Sequence, residues 1–179
     1  MESPPLPGPS DPSAPAAPPL PDPVRVSGHF GEYLQGRLGT DGPVALITLP
    51  CPVLAVSATA APGPFALEAD PNLIGAARAR ALLDALGLPR AGRFHLTTAM
   101  PPGGGAGAST AALVALARAA ARLSGDAGPH PVALARACRA VEGAVDPVMH
   151  ADPAARLWAS RQARMICRLT NNRHVGLFP

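Results

Sequence analysis

Lysine is absent from this sequence of 179 residues, and the formal net charge of +3 rests on arginines spread along the chain. Aromatic residues make up only 3% of the chain. Proteins that bind single-stranded nucleic acid stack bases on aromatic side chains and cluster their basic residues, so we expect no nucleic-acid partner. We expect no membrane partner either, because no apolar run approaches the roughly 20 residues that a spanning helix needs.

Cysteine is scarce as well. Cys51, Cys138 and Cys167 are odd in number and far apart in the sequence. That pattern fits neither a disulfide framework nor the ligand spacing of a zinc site. We expect reduced, buried thiols.

The first 23 residues lack arginine and hold ten of the 24 prolines. A secretory signal needs a basic start and a continuous apolar run, and neither is present here. Residues 1–23 therefore predict a disordered, proline-rich leader on a cytoplasmic protein.

The pattern beyond the leader predicts strands first and helices later. The segments with the alternation typical of strands are 24–27, 44–49, 53–59 and 93–98. The segments with helical spacing are 70–86, 108–123, 131–142 and 152–168. Pro50 and Pro52 predict a bend or a sheet edge between the second and third strands. Clustered strands followed by helices indicate an α+β layer.

A glycine-rich loop connects the last of these strands to the helix at 108–123. Such a loop lets backbone N–H groups close on an anion, while the helix N-terminus adds its positive dipole end. We therefore predict a phosphate-binding loop. Its residues are Pro102, Gly103, Gly104, Gly105, Ala106, Gly107, Ala108, Ser109 and Thr110.

Two common kinds of phosphate loop compete for this segment. A Walker A loop requires a lysine after its last glycine, and this chain has none. A dinucleotide-binding fingerprint can be traced through Gly103, Gly105 and Ala108, with Asp126 downstream. That fingerprint requires a strand after the helix, where this sequence is helical, so an oxidoreductase remains the lesser alternative.

A third kind of loop fits better. Residues 101–111 are similar to the glycine loop of the GHMP kinases, from which Ala106 and Ala108 depart. Residues 28–36, Gly-His-Phe-Gly-Glu-Tyr-Leu-Gln-Gly, resemble the first motif of that superfamily, and residues 142–147 resemble its acid-bearing turn. The motifs occur in the expected order. Residues 28–36 look most like the branch that contains L-threonine kinase and propanediol-utilisation-type proteins.

This resemblance covers roughly residues 24–168 and implies a fold like domain 2 of ribosomal protein S5. Such a lobe has two layers, a mixed sheet with helices on one face. The superfamily also has a second lobe with its own glycine motif, and this sequence shows no counterpart. We therefore expect a truncated arrangement: leader 1–23, ATP-binding lobe 24–150, and at 151–179 a linking helix and the start of the missing lobe. A homo-oligomer or a partner chain could then complete it.

The resemblance also implies a function and assigns residues to it. It implies transfer of the γ-phosphoryl group of ATP to a small alcohol, with a non-catalytic nucleotide-binding fragment as the alternative. Asp146 would take the proton of the alcohol, Ser109 and Glu142 would ligate Mg²⁺, and the acceptor pocket would be lined by His29, Glu32 and Gln35. Arg25, Arg161 or Arg164 would neutralise phosphate charge.

Each of these residues also has an ordinary structural interpretation. Ser109 could cap a helix, Asp146 could form a turn before Pro147, and Glu142 could be a solvated carboxylate. Most histidines and glutamines in loops, such as His29 and Gln35, are simply hydrated.

Overall fold

The computed structural model describes residues 22–100 and 103–169, which form a six-stranded sheet with three helices. The strands are β1 (Val24–Arg37), β2 (Val44–Ala61), β3 (Ala66–Glu68), β4 (Arg93–Thr98), β5 (Arg156–Ala159) and β6 (Arg164–Arg168). The helices are α1 (Ala76–Ala85), α2 (Ala108–Leu123) and α3 (Pro131–Glu142). Most of the predicted leader lies outside the described residues, as does Pro102.

The long strand β2 organises the sheet. It pairs antiparallel with β1 along one edge, and with β4 and β5 at separate parts of its other edge. The short strand β3 runs parallel to β4, and β6 runs antiparallel to β5. The sheet is therefore mixed, as predicted.

Strands β1 and β2 are longer than the sequence indicated. The predicted second and third strands are one strand of 18 residues, although Pro50 and Pro52 lie within it. Proline cannot donate to a ladder, and the register between β1 and β2 shifts beside these prolines, between Ser27 and Gly28 and again between His29 and Glu32. The irregularity turns His29 into the interior.

Helix α2 lies against the sheet, and α1 and α3 pack beside it. Its alanines let the helix approach closely, and residues 110–117 are all buried. Leu113 and Leu116 fill the core together with Phe94 of β4. The result is the expected α+β lobe. Because α2 is followed by α3 rather than by a strand, the dinucleotide-binding alternative loses its βαβ unit.

The predicted helix at 152–168 is wrong. That segment begins with a short 3₁₀ turn at Pro153–Ala155 and continues as the hairpin of β5 and β6. Asp152 accepts hydrogen bonds from Arg156 and Arg168 at 2.6 and 2.5 Å, which ties the two strands together at their open end. The buried ring of Trp158 opposes Leu46 of β2, so pairing with the sheet outweighs the local helical spacing.

The first predicted helix begins later than expected. Helix α1 starts at Ala76, whereas Asp70 holds a turn by accepting from the backbone N–H of Asn72 at 2.8 Å. No helix in the described ranges is long and apolar enough to cross a bilayer. Cys51 and Cys138 are buried free thiols, as expected, but Cys167 is exposed.

Candidate functional site

The glycine loop turns sharply into α2. Gly103, Gly105 and Gly107 have φ values of 74°, 65° and 71°, respectively. Residues with a side chain rarely adopt this left-handed backbone conformation. Gly107 is the N-cap of α2 and offers no side chain to its first turn. The amides of that turn are thus left to a ligand at the positive end of the helix dipole.

A pocket of about 400 Å³ lies over this loop. Its wall brings together parts of the chain that are distant in sequence, including the turn at Asp70, the end of β4 at Thr98, and Asp146. All of the predicted loop residues that the structure describes, 103–110, line it. The predicted catalytic carboxylate and the predicted phosphate loop therefore share one pocket.

Strand β1 passes so close to the loop that two glycines are required. A Cβ on Gly107 would lie 2.5 Å from Cδ2 and 2.6 Å from Nε2 of His29. A Cβ on Gly28 would lie 2.5 Å from the carbonyl oxygen of Ala106, which accepts the backbone N–H of His29 at 3.0 Å. These contacts fix His29 against the loop.

His29 and Asp146 form a hydrogen-bonded pair. Nδ1 of His29 accepts the backbone N–H of Gly31 at 3.0 Å, so in the neutral ring the proton resides on Nε2. Nε2 then donates to Oδ2 of Asp146 at 3.1 Å. The histidine is almost completely buried, whereas the carboxylate retains access to the pocket.

The surroundings of this pair raise the pKa of His29. Burial lowers the pKa of His29, but its hydrogen bond to Asp146 and the charges of Asp146 and Glu32 outweigh burial, so the pKa is raised. A ring nitrogen of His29 and one carboxylate oxygen each from Glu32 and Asp146 all lie within 4.8 Å of one another. Gln35 is not part of this cluster: it lies farther along β1, exposed and opposite Leu46.

Asp146 does not act as a turn-former for the short 3₁₀ turn that follows it, because its side chain makes no capping bond there. Its backbone position is set by two contacts of the preceding residue, Val145, one with Trp158 of β5 and one with Ser160, which directly follows β5. The backbone N–H of Val145 donates to the carbonyl of Ser160 at 3.1 Å, and Nε1 of Trp158 donates to the carbonyl of Val145 at 2.7 Å. The hairpin that the sequence did not predict thus holds the carboxylate in place.

The structure also brings Ser109 and Glu142 together. The hydroxyl of Ser109 donates to Oε1 of Glu142, and Thr110 donates to Oε2 at 3.1 Å. Glu142 ends α3 and is largely buried, so it is not simply a solvated carboxylate. Hydroxyl and carboxylate oxygens are the hard donors that Mg²⁺ prefers, and this donor set fits that ion.

Arg78 of α1 is the residue that sequence reasoning missed. Its guanidinium contacts both Ser109 and Glu142. No motif pointed to it, because its position depends on α1 packing against α3. The three arginines considered from sequence lie elsewhere: Arg25 donates to the carbonyl of Pro52, and Arg161 and Arg164 line a separate surface pocket.

These features define an α+β lobe with a glycine-rich loop and a carboxylate that line the same pocket. Residues 72–158 match the family model described as GHMP kinases N terminal domain. The match covers slightly less than half of the chain, so this part of the chain is similar to the amino-terminal domain of the GHMP kinases, a group of kinases that use ATP and typically Mg²⁺. The matched range contains Arg78, the glycine loop, Glu142 and Asp146, but not residues 28–36. No curated protein sequence matches the chain significantly.

Proposed function

We propose that this chain binds ATP in the glycine-loop pocket and transfers its γ-phosphoryl group to the hydroxyl of a small alcohol. The observation that carries the proposal is that Asp146 opens into the same pocket as residues 103–110. Phosphoryl transfer depends mainly on positioning and charge neutralisation, and a pocket that joins an anion cradle to a fixed carboxylate serves both needs.

The triphosphate would lie on the amides of the loop and of the first turn of α2. Ser109 and Glu142 would hold Mg²⁺, which neutralises phosphate charge when bound. Thr110 keeps the Glu142 carboxylate oriented through its bond to Oε2. Arg78 would have to leave these oxygens, and its guanidinium is then available to a phosphate oxygen.

In the chemical step, the alcohol oxygen forms a bond to the γ-phosphorus while the bond from that phosphorus to the bridging oxygen of ADP breaks. The alcohol proton passes to Asp146. Because Oδ2 of Asp146 accepts a hydrogen bond from Nε2 of His29, Oδ1 is the oxygen that remains for the alcohol. His29 thereby orients the carboxylate.

The acceptor is a proposal that rests on sequence resemblance. Residues 28–36 resemble the threonine kinase branch, so L-threonine is the first alcohol to test, followed by other small hydroxylated metabolites. Glu32, which is exposed, would face it from β1, whereas His29 is buried and would act through Asp146. We expect the reaction to take place in the cytoplasm.

The test compares variants of the two parts of the site. Asp146→Asn should lower kcat about a hundredfold or more because the proton acceptor is lost, while the Kd for Mg-ATP changes less than about twofold. Ser109→Ala should raise that Kd about tenfold, the expected effect of losing one bond to a charged group. Asp126→Asn, an exposed acid beyond the end of α2, is the matched control. Unchanged turnover in Asp146→Asn would remove Asp146 from the chemistry.

A second candidate function has one specific observation in its favour. The guanidinium of Arg78 contacts the very oxygens that would hold the metal, so the loop could bind nucleotide without Mg²⁺ and without catalysis. Isothermal titration with ATP in EDTA and in excess Mg²⁺ separates the two. Equal affinities, together with no turnover of any alcohol, would favour the non-catalytic module, whereas tighter binding with Mg²⁺ supports the kinase.

A further inference from the structure

A second cavity, of about 350 Å³, shares no lining residue with the glycine-loop pocket. It is lined by residues of β1, β2, the middle of α2 and the turns that follow Asp146. Strand β1 runs between the two, because Gly28 lines the second cavity while His29 contacts Asp146. Its polar lining comes from Arg25, Ser27, Thr48, Arg118 and His150.

Two residues that line this cavity each have a buried polar atom with no hydrogen-bond partner among the described residues. The atoms are Oγ1 of Thr48, whose residue is completely buried, and Nε2 of His150. A buried donor or acceptor without a hydrogen bond destabilises a folded protein, and such groups are rare unless they serve a ligand or a water. Both atoms belong to residues that line the same space.

The charged side chains that line the cavity are all positive. Its lining includes Arg25 and Arg118 and no carboxylate among the described residues. Arg118 is half-buried and donates from Nη2 to the carbonyl of Met149 at 2.8 Å, while Arg25 donates to the carbonyl of Pro52 at 3.1 Å. A guanidinium has five N–H donors, so each side chain retains donors for another acceptor.

The pKa shifts of Arg118 and His150 agree with an anion as the missing partner. Burial and nearby Arg122 lower the pKa of Arg118, as expected for a buried cation that lacks an acid. Burial and Arg156 lower the pKa of His150, which keeps the ring neutral and able to donate from Nε2 in one tautomer.

We propose that this second cavity is a binding site for a small oxyanion, a carboxylate or a phosphate group. Arg118 and Arg25 supply the charge-assisted donors, and Thr48 and His150 supply neutral ones. A guanidinium group can donate two parallel N–H bonds to a pair of oxygens of a carboxylate or of a phosphate group. The site stands independently of the kinase reaction, since none of its lining residues belongs to the glycine-loop pocket.

The protein carries its own reporter for this site. Trp158 is the single tryptophan, and its ring lies edge-on to His150 with the centroids 5.4 Å apart. Titrations of the full chain with sodium phosphate and with sodium acetate, at constant ionic strength set with sodium chloride, should change its fluorescence in a saturable way. The two arms distinguish a phosphate ligand from a carboxylate ligand. No saturable change with either anion would overturn the proposal.

Variants locate the binding. Arg118→Met should raise the Kd for the bound anion about tenfold or more, whereas Arg122→Met, one turn later on the same helix, should leave it within about twofold. Ser109→Ala should also leave it unchanged, because Ser109 belongs to the other pocket. A Kd that depends on Ser109 and not on Arg118 would place the anion on the glycine loop and refute this site.

Thr48→Val keeps the test decisive if Arg118→Met fails to fold. Valine has nearly the shape of threonine, so it removes the unpartnered hydroxyl without leaving a void. At a ligand site, the variant should lose several-fold in anion affinity and much of the rise in Tm that the anion gives the native protein. If the variant is more stable than the native protein and binds the anion equally well, Thr48 faces an ordinary cavity and the proposal fails.

Discussion

At the residue scale, Gly107 is a position where the site has no room for a larger side chain. Gly107→Ala would place a methyl group against the ring of His29 and force alanine into a φ of 71°. Gly105→Ala meets the same backbone restriction, with φ 65°, but its Cβ would face open space. We expect Gly105→Ala to cost about 1 kcal/mol and Gly107→Ala about 3 kcal/mol of unfolding free energy.

Urea denaturation followed by far-UV circular dichroism would measure both variants of the loop. The difference between them isolates the clash with His29, because the backbone cost is common to the two. Equal losses would mean that β1 is free to move away from the loop, and that the close approach at Gly107 does not constrain the site.

The His29–Asp146 pair gives the molecule a pH dependence of known sign. The pKa of His29 is raised in the folded state, so its protonation stabilises the fold below the ordinary value near 6.5. That contribution is lost as the pH rises through the raised folded value. The stability advantage of the native protein over His29→Gln should therefore be largest below pH 6.5 and should shrink as the pH rises through the raised pKa of His29.

NMR titration of the imidazole signals checks the cause of this dependence. In Asp146→Asn the hydrogen bond to a carboxylate is gone and burial dominates, so the pKa of His29 should fall below that in the native protein. An unchanged pKa would show that Asp146 is not the group that raises it.

The site illustrates what a sequence can and cannot specify about single residues. Ser109, Glu142 and Asp146 carry the family pattern, and the structure brings Ser109 to Glu142 and Asp146 to the loop. Arg78 was not predictable, since its contact with Glu142 arises only when α1 and α3 pack together. Gln35 was assigned to the acceptor pocket with His29 because residues 28–36 resemble the first motif, but it lies farther along β1 and is exposed.

At the scale of secondary-structure elements, β5 supports the turn that carries Asp146. Trp158→Phe keeps an aromatic ring but removes the Nε1 donor to the buried carbonyl of Val145. Leaving that carbonyl unpartnered should cost about 1–3 kcal/mol of unfolding free energy. Thermal unfolding would measure the loss. The control is Tyr33→Phe, which also removes one polar group from an aromatic ring, but at a side chain that is 74% exposed, and should change little.

A loss in Trp158→Phe no larger than that in Tyr33→Phe would show that the bond to Val145 contributes nothing to the fold. Turnover gives an independent readout of the same element. Because Val145 precedes Asp146, the Trp158→Phe variant should lose more in kcat than in its affinity for Mg-ATP.

The elements divide into those decided locally and those decided by tertiary pairing. Strand β4 and helices α2 and α3 follow their own periodicity, so the sequence located them closely. The segment 152–168 carries apolar residues at helical spacing, but its strands have only four and five residues and are stabilised by β2. Strand β3, with three residues, has too little pattern to be predicted.

At the scale of the whole molecule, β1 to β6 belong to one sheet, and its last two strands follow Asp146 in the sequence. The sequence predicted the class of fold, because the order of patterns determines the layers. It could not predict that residues 156–168 return to the sheet, since that depends on the pairing of Trp158 with Leu46 of β2, which is distant in sequence. Trp158 packs in the same core cluster as Leu46 and Val56.

This arrangement makes a prediction about where the folding unit ends. A chain of residues 22–150 would lack β5, β6 and the buried ring of Trp158. Removal of a buried tryptophan side chain alone costs about 3–5 kcal/mol, a large part of the 5–15 kcal/mol that stabilises a typical domain. We therefore expect residues 22–150 to lose cooperative thermal unfolding, whereas residues 22–169 retain it. If the shorter chain unfolds as cooperatively as the longer one, the lobe ends before the hairpin, and β5 and β6 are an accessory to a core that is already complete.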